Sequence, residues 1–227
     1  MVSEGPVRLN LGSGHDQAPG WTSYDRSRMP LLSRSRFVRG GAALAARIGI
    51  PAADRVLRWP SSVRVRDLTK GIPHPAGSVD AIYSSHMLEH LEPNDALFVL
   101  RECYRVLRPG GTLRIVVPDL KFIVRAYLEG KREFLRSRAQ ADADAFLEAL
   151  NFRPAPRGGI VTRALRRALR SDDGGHKWMY DEESLILRLR EIGFRDVCRV
   201  TFGEGRNAEA SRLDSRSPFH VHVEALR

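Results

Sequence analysis

The chain has 227 residues, 37 Lys and Arg against 27 Asp and Glu, a formal net charge of +10 and two cysteines. That length buries a full core without staples, and Cys103 and Cys198 stand far apart in no metal spacing, so both read as small apolar residues of a reducing compartment. No run approaches the ~18 apolar residues of a spanning helix, and Met1 to Pro6 lacks the apolar stretch of a secretion signal, so a soluble, cytoplasmic protein is expected.

In chain order, the apolar run Val7-Arg8-Leu9-Asn10-Leu11 enters Gly12-Ser13-Gly14. This predicts a buried strand and a tight turn that opens a helix. Gly12 permits the turn, and Gly14 lets a ligand lie against bare backbone. The next apolar stretch ends in Asp25, an acid suited to two ribose hydroxyls, so these residues suggest a nucleoside pocket. The third glycine of a dinucleotide fingerprint is missing, and no Lys-Ser or Lys-Thr of a P-loop follows. Arg26 to Arg58 is irregular and basic, with one helix expected over Gly41 to Ile48. It reads as an insertion, residues 26–62, between the second and third strands. Val63 to Leu68 alternates as a strand and brings Asp67 to its end; Ser78 to Ser85 reads as a central strand, and His86 to His90 begins the next helix or turn.

Asn94 to Leu107 carries one apolar face, Ala96, Leu97, Leu100, Cys103, Tyr104 and Leu107, and is the clearest helix. Pro109-Gly110-Gly111 is expected to end it, with a buried strand over Thr112 to Val117. Asp119 can cap a helix from Leu120 to Glu129, stopped by Gly130. A further helix is expected over Arg132 to Leu150, then a linker from Phe152 to Gly159. In Ile160 to Arg170 the apolar residues face away from Arg163, Arg166, Arg167 and Arg170, a basic amphipathic pattern suited to a membrane surface or to packing on the domain. A helix over Glu182 to Ile192 and two strands, Phe194 to Phe202 and Phe219 to Leu226, complete the chain.

The basicity is concentrated. Residues 28–66 hold nine Arg and one acid, and residues 153–170 hold six Arg and none, so the remainder is slightly acidic. Such clustering favours an anionic partner, a lipid surface or a phosphorylated carrier, or else a solvated Arg-rich face. Nucleic acid is disfavoured because few aromatics accompany the Arg residues.

Taken together, the glycine turn, Asp25, Asp67-Leu68, Ser78 to Tyr83, Leu88-Glu89-His90-Leu91, Arg105 to Gly111 and Glu191-Ile192-Gly193-Phe194 resemble a class I S-adenosylmethionine-dependent methyltransferase of the type 11 kind. The resemblance is dense over residues 7–119 and looser over 176–226. It implies one domain over residues 1–227: a Rossmann-like, doubly wound α/β sheet of seven strands with a C-terminal antiparallel hairpin, preceded by a helical insertion at 131–175. It also implies S-adenosyl-L-methionine as cofactor. Gly12, Ser13 and Gly14 would face its methionine and ribose, Asp25 the ribose hydroxyls, Asp67 the adenine amino group and Leu68 the ring. Ser84, Ser85 and His86 would line the methionine end and the acceptor mouth. Asn10 stands where the family often has an acid; it can accept from the ammonium but brings no charge.

Methyl transfer to a hydroxyl needs a placed nucleophile and a base. His176, beyond a Gly174-Gly175 loop, is the expected base, with His86 as alternate and Asp119 at the pocket edge. His90 is expected to pack or cap locally, and His15 to lie exposed beside the glycine turn. The expected activity is O-methylation of a small or carbohydrate-like acceptor, free or on a lipid carrier. N-methylation of a small molecule, or a catalytically silent cofactor-binding module, is the alternative. His86-Met87-Leu88-Glu89-His90 also spells the inverted zinc-peptidase signature, which requires two histidines on one helical face. No metal is assigned, although a weaker divalent-ion site drawn from His86, Glu89, Asp119 and His176 stays open.

Overall fold

The computed structural model describes residues 5–16, 18–47, 56–135, 141–151, 175–215 and 219–227. Seven strands form one sheet: β1 (Arg8–Leu11), β2 (Thr22–Asp25), β3 (Arg64–Val65), β4 (Val79–Ser85), β5 (Leu107–Pro118), β6 (Arg195–Arg199) and β7 (His220–Leu226), in the order β3-β2-β1-β4-β5-β7-β6. The first five run parallel, and β7 is inserted antiparallel between β5 and β6. The strand order reverses between β1 and β4, so the carboxyl ends of these two strands flank the crevice where doubly wound sheets bind ligands.

Near-continuous apolar runs make the central strands. Leu9, Leu11, Ile82, Leu113, Ile115 and Val223 are fully buried, and the helices Pro93–Val106 and Glu182–Ile192 pack on them through Val99, Leu100, Leu185 and Leu189. The second helix has the bounds its sequence predicts because both ends are capped. The Asp181 carboxylate accepts from the Ser184 amide at 2.8 Å, and Gly193 takes a left-handed φ of 112°. A second apolar cluster joins Ile123 and Ala126 of the helix Leu120–Leu128 to Leu135, Ala145, Leu150 and Met179. It seats the short helices Arg132–Leu135 and Asp142–Leu150 beside the crevice.

Several expectations are corrected. The glycine turn opens no described helix: Gly14-His15 and Pro19-Gly20 make turns, and β2 starts at Thr22. The helix from Pro93 ends at Val106, and β5 already starts at Leu107. Pro109-Gly110-Gly111 does not separate the two elements, because a register shift between Val79 and Ala81 lets the extra residues of β5 bulge out. β3 is only two residues long, and Leu68 to Lys70 is a 3-10 turn capped by Asp67. Between β2 and β3 the described residues form the helices Met29–Arg34 and Arg36–Arg47 rather than one over Gly41 to Ile48, with Phe37 and Leu44 exposed among the arginines of the second. One long helix over 132–150 is replaced by the two short ones, with 136–140 outside the described residues. The expected linker at 152–159 and the basic helix at 160–170 also lie outside them. Among the described residues no helix is long and apolar enough to cross a membrane.

Candidate active site

Two cavities open along the carboxyl edge of the sheet. One, of about 330 Å3, is lined by Gly12, Asp25, Arg26, Arg66, Asp67, Leu68, Thr69, His86, Met87, His90, Leu91, Asn151 and Gly175. The other, of about 420 Å3, includes Asn10, Gly12, Ser13, Gly14, Tyr83, Ser85, His86, Arg212 and Leu213. They share Gly12, Asp25 and His86 as a common wall. The residues expected to hold a nucleoside and those expected to meet its other end therefore line one connected groove.

Each is positioned by the end of a strand. Gly12 and Ser13 donate their amides to the Tyr24 carbonyl at 2.9 and 3.1 Å, which ties the turn to β2. Asp25 closes β2; its carboxylate accepts from the Gly14 amide at 2.9 Å and the Ser27 amide at 2.7 Å. These bonds orient both oxygens, and each oxygen has capacity for a further donor. Asp67 is held by Thr69, whose hydroxyl donates to it at 2.7 Å. The two glycines do different work. A Cβ on Gly12 would come within 2.5 Å of Met87 Cγ, so Gly12 allows close packing, whereas one on Gly14 would enter open space inside the cavity. Both have positive φ, 68° and 56°. Gly12→Ala is expected to destabilise the fold by about 1–3 kcal/mol. In denaturant unfolding, adding Met87→Ala should restore only the part due to the clash.

The far end of β4 turns sharply. His86 has a left-handed φ of 53°, and Leu88 to His90 form a single 3-10 turn. The H-x-x-E-H letters therefore do not lie on a helix, and the peptidase geometry is absent here. His86 Nδ1 lies 3.0 Å from Glu89 Oε1, and His176 Nε2 lies 4.0 Å from the same oxygen. Glu89 is fully buried. Burial pushes its carboxyl up, but contact with His86 and the charges of His86 and His90 outweigh this and hold it low. Burial lowers the pKa of His176, against the pull of Glu89. His90 Nδ1 donates to the Gly175 carbonyl, 3.1 Å away, and its ring meets that of His176 edge-on at 5.0 Å.

His15 is exposed beside the glycine turn, as expected. Ser85 lines the second cavity, whereas Ser84 is buried in the sheet and lines neither. Asp119 is also displaced from its expected place. It caps the helix Leu120–Leu128 through the Phe122 amide, approaches Arg199 at 3.8 Å and lines a separate depression with Lys121 and Asp181. Sequence reasoning weighed Glu89 only for a weak divalent-ion site and expected His90 to pack or cap locally; it missed His220, whose ring meets His86 at 4.7 Å. The letters Glu-His after His86 were a usable signal for the first two. For His220 there was none, since only the pairing of β7 with β5 brings it near.

The methyltransferase-domain family profile matches residues 48–115. Ubiquinone biosynthesis O-methyltransferases of Xanthomonas campestris pv. campestris are 26% identical over 233 residues, covering 98% of this chain and 82% of theirs. Among solved structures, a SAM-dependent methyltransferase from Archaeoglobus fulgidus is 15% identical with a TM-score of 0.48, covering 98% of this chain and 87% of that one. The SAM-dependent methyltransferase SibL in its apo form is 20% identical with a TM-score of 0.44 over 98% of this chain, which spans only 50% of SibL's length. The profile match falls on a sheet whose order and inserted antiparallel strand the resemblance had implied, and together they support a methyltransferase domain that takes S-adenosylmethionine as its methyl donor.

Proposed function

We propose that the protein methylates a hydroxyl oxygen of a small or carbohydrate-like acceptor, with a histidine as base. The observation that carries this reading is His86. It is the histidine common to both cavities, its Nδ1 is braced by Glu89, and its Nε2 is sheltered from solvent with no hydrogen-bond partner among the described residues. A carboxylate that holds one ring nitrogen leaves the other as the proton acceptor. His176, the base expected from sequence, sits behind Glu89 and lines neither cavity, so His86 takes the role. The O-methyltransferase name of the curated relatives agrees with an oxygen acceptor.

The donor fits the residues present: Gly14 leaves open space for it, and Asp25 and Asp67 stand as acid tips on neighbouring strands. When bound, it supplies a methyl group made electrophilic by a sulfonium. Asp25 would accept from the ribose hydroxyls, Asp67 from the adenine amine beside Leu68, and Asn10 from the ammonium. Ser13 and Ser85 would line the methionine end. His86 Nε2 would take the acceptor's proton as the oxygen attacks, and the cavity walls would exclude competing water. The arginines of residues 26–62, with Phe37 and Leu44 exposed beside them, offer a side for an anionic or lipid-linked acceptor.

Asp25→Ala removes a charged acceptor of two hydrogen bonds and should weaken S-adenosylmethionine binding about 30–100-fold by calorimetry. The test of function is transfer of labelled methyl to panels of hydroxylated and amine acceptors. Label in alkali-stable ethers supports the reading; label on amines alone overturns it.

A further inference from the structure

We propose that Glu89, His90 and His176 bind a divalent transition-metal cation of the Zn2+, Mn2+ or Co2+ class. Each offers one ligand atom, and the three atoms lie within 4.8 Å of one another. Ligands about 2.0–2.2 Å from one ion stand roughly 3–4 Å apart, so small side-chain rotations close the set. The Gly175 carbonyl fixes His90 through Nδ1 at 3.1 Å, leaving Nε2 as the ligating atom. A backbone carbonyl behind a ligating imidazole is the usual means of setting its orientation.

A second observation points to a cation independently. Glu89 is fully buried; its Oε1 meets only the imidazoles of His86 and His176, and its Oε2 has no hydrogen-bond partner among the described residues. A buried carboxylate is costly unless a positive charge or donors compensate it, and no Lys or Arg ion pair to Glu89 is found among the described residues. His176 Nδ1 is likewise buried without a hydrogen-bond partner among the described residues. A dication between Oε2 and the two imidazoles would compensate the charge.

The backbone holds the cluster ready. The amides of Lys177 and Trp178 both donate to the Glu89 carbonyl, at 2.7 and 3.2 Å, and the His176 amide donates to the Asn151 carbonyl at 3.0 Å. A segment 85 residues away is thus fastened directly to the turn that carries Glu89 and His90. Two imidazoles with one carboxylate select borderline transition metals over Mg2+ or Ca2+, which prefer all-oxygen shells. Three protein ligands leave positions open, and His90 lines the cavity that also holds Asp67 and Leu68.

The site stands on its own geometry and does not depend on the acceptor proposed above. Untagged full-length protein is stripped with chelator and titrated calorimetrically with Zn2+, Mn2+ and Co2+, with Co2+ absorption as a second readout. The expected result is one ion per chain, a rise in Tm on loading, and at least tenfold weaker binding in Glu89→Gln and in His176→Asn. Glu183→Gln, an exposed acid elsewhere, should bind like the parent. No binding to folded protein, or unchanged affinity in both ligand variants, overturns the proposal. S-adenosylmethionine binding is measured on the same samples. Its loss would count against the function proposed above and leave the metal result to stand alone.

Discussion

His86→Gln is expected to lower methyl transfer about 10²–10⁴-fold while leaving S-adenosylmethionine affinity within a few-fold of the parent. Gln fills a similar volume and can hydrogen-bond, but it cannot take a proton. The shared wall between the two cavities therefore survives and only the base is lost. The measurement is single-turnover transfer of labelled methyl beside calorimetric titration of the cofactor. Parallel loss of both would mean that His86 serves the pocket's shape, through its left-handed backbone and its contact with His220. A slow reaction that recovers as pH rises would instead fit loss of a base, because more of the acceptor ionises without help.

The second large effect lies on the sheet. Arg114 of β5 is 1% exposed. Its guanidinium makes a two-pronged pair with Asp214, donates to Glu224 at 2.8 Å and reaches the carbonyls of Glu204 and Thr201 at 2.9 and 3.2 Å. His222 Nδ1 stands 3.3 Å from the same Asp214. Removing the one strong cation leaves two buried carboxylates uncompensated, so Arg114→Met should cost about 3–5 kcal/mol. For a chain of this size that is roughly 10 °C in Tm. Adding Glu224→Gln should recover part of the loss, as a double-mutant cycle would show. Tyr83 donates to the Leu213 carbonyl at 3.0 Å, and Arg212 and Leu213 line the methionine-end cavity, so cofactor affinity should fall as well.

The same network sets an acid limit. Burial pushes the Asp214 carboxyl up, but His222, Arg114 and the Gly203 amide outweigh this and hold it at about 2, against 3.8 for the unperturbed group. A depressed carboxylate pKa stabilises the fold fully above the unfolded value. The contribution, roughly 2 kcal/mol, therefore fades as pH falls from near 4 through about 2. Asp214→Asn should unfold at a higher pH than the parent does.

The parts legible in the sequence are those fixed by local chemistry. Asp181 and Gly193 bound one helix, Ser78 to Ser85 reads as the central strand it forms, and Gly12, Gly14, Asp25 and Asp67 meet because each ends an element at the same sheet edge. What local pattern misreads is what tertiary pairing overrides. Pro109-Gly110-Gly111 punctuates strongly, yet β4 offers a partner to Leu107 and the strand begins before it. Asp119 carries the right chemistry for a pocket edge, but its carboxylate is engaged as a cap beside Arg199. Glu89 and His90 reveal a role only when residues 175–178 fold back on them.

That return crossing has a consequence for how such proteins diversify. Lys177 and Trp178 dock through their main-chain amides, Lys177 being further paired with Glu92 at 2.9 Å, and amide bonds are indifferent to which side chains precede them. Exposed side chains of the helix Asp142–Leu150 can therefore change while the rejoining strap still lands on the same carbonyl. The crossing works as a standard coupling, onto which evolution can fit new specificity heads without rebuilding the chemistry beneath.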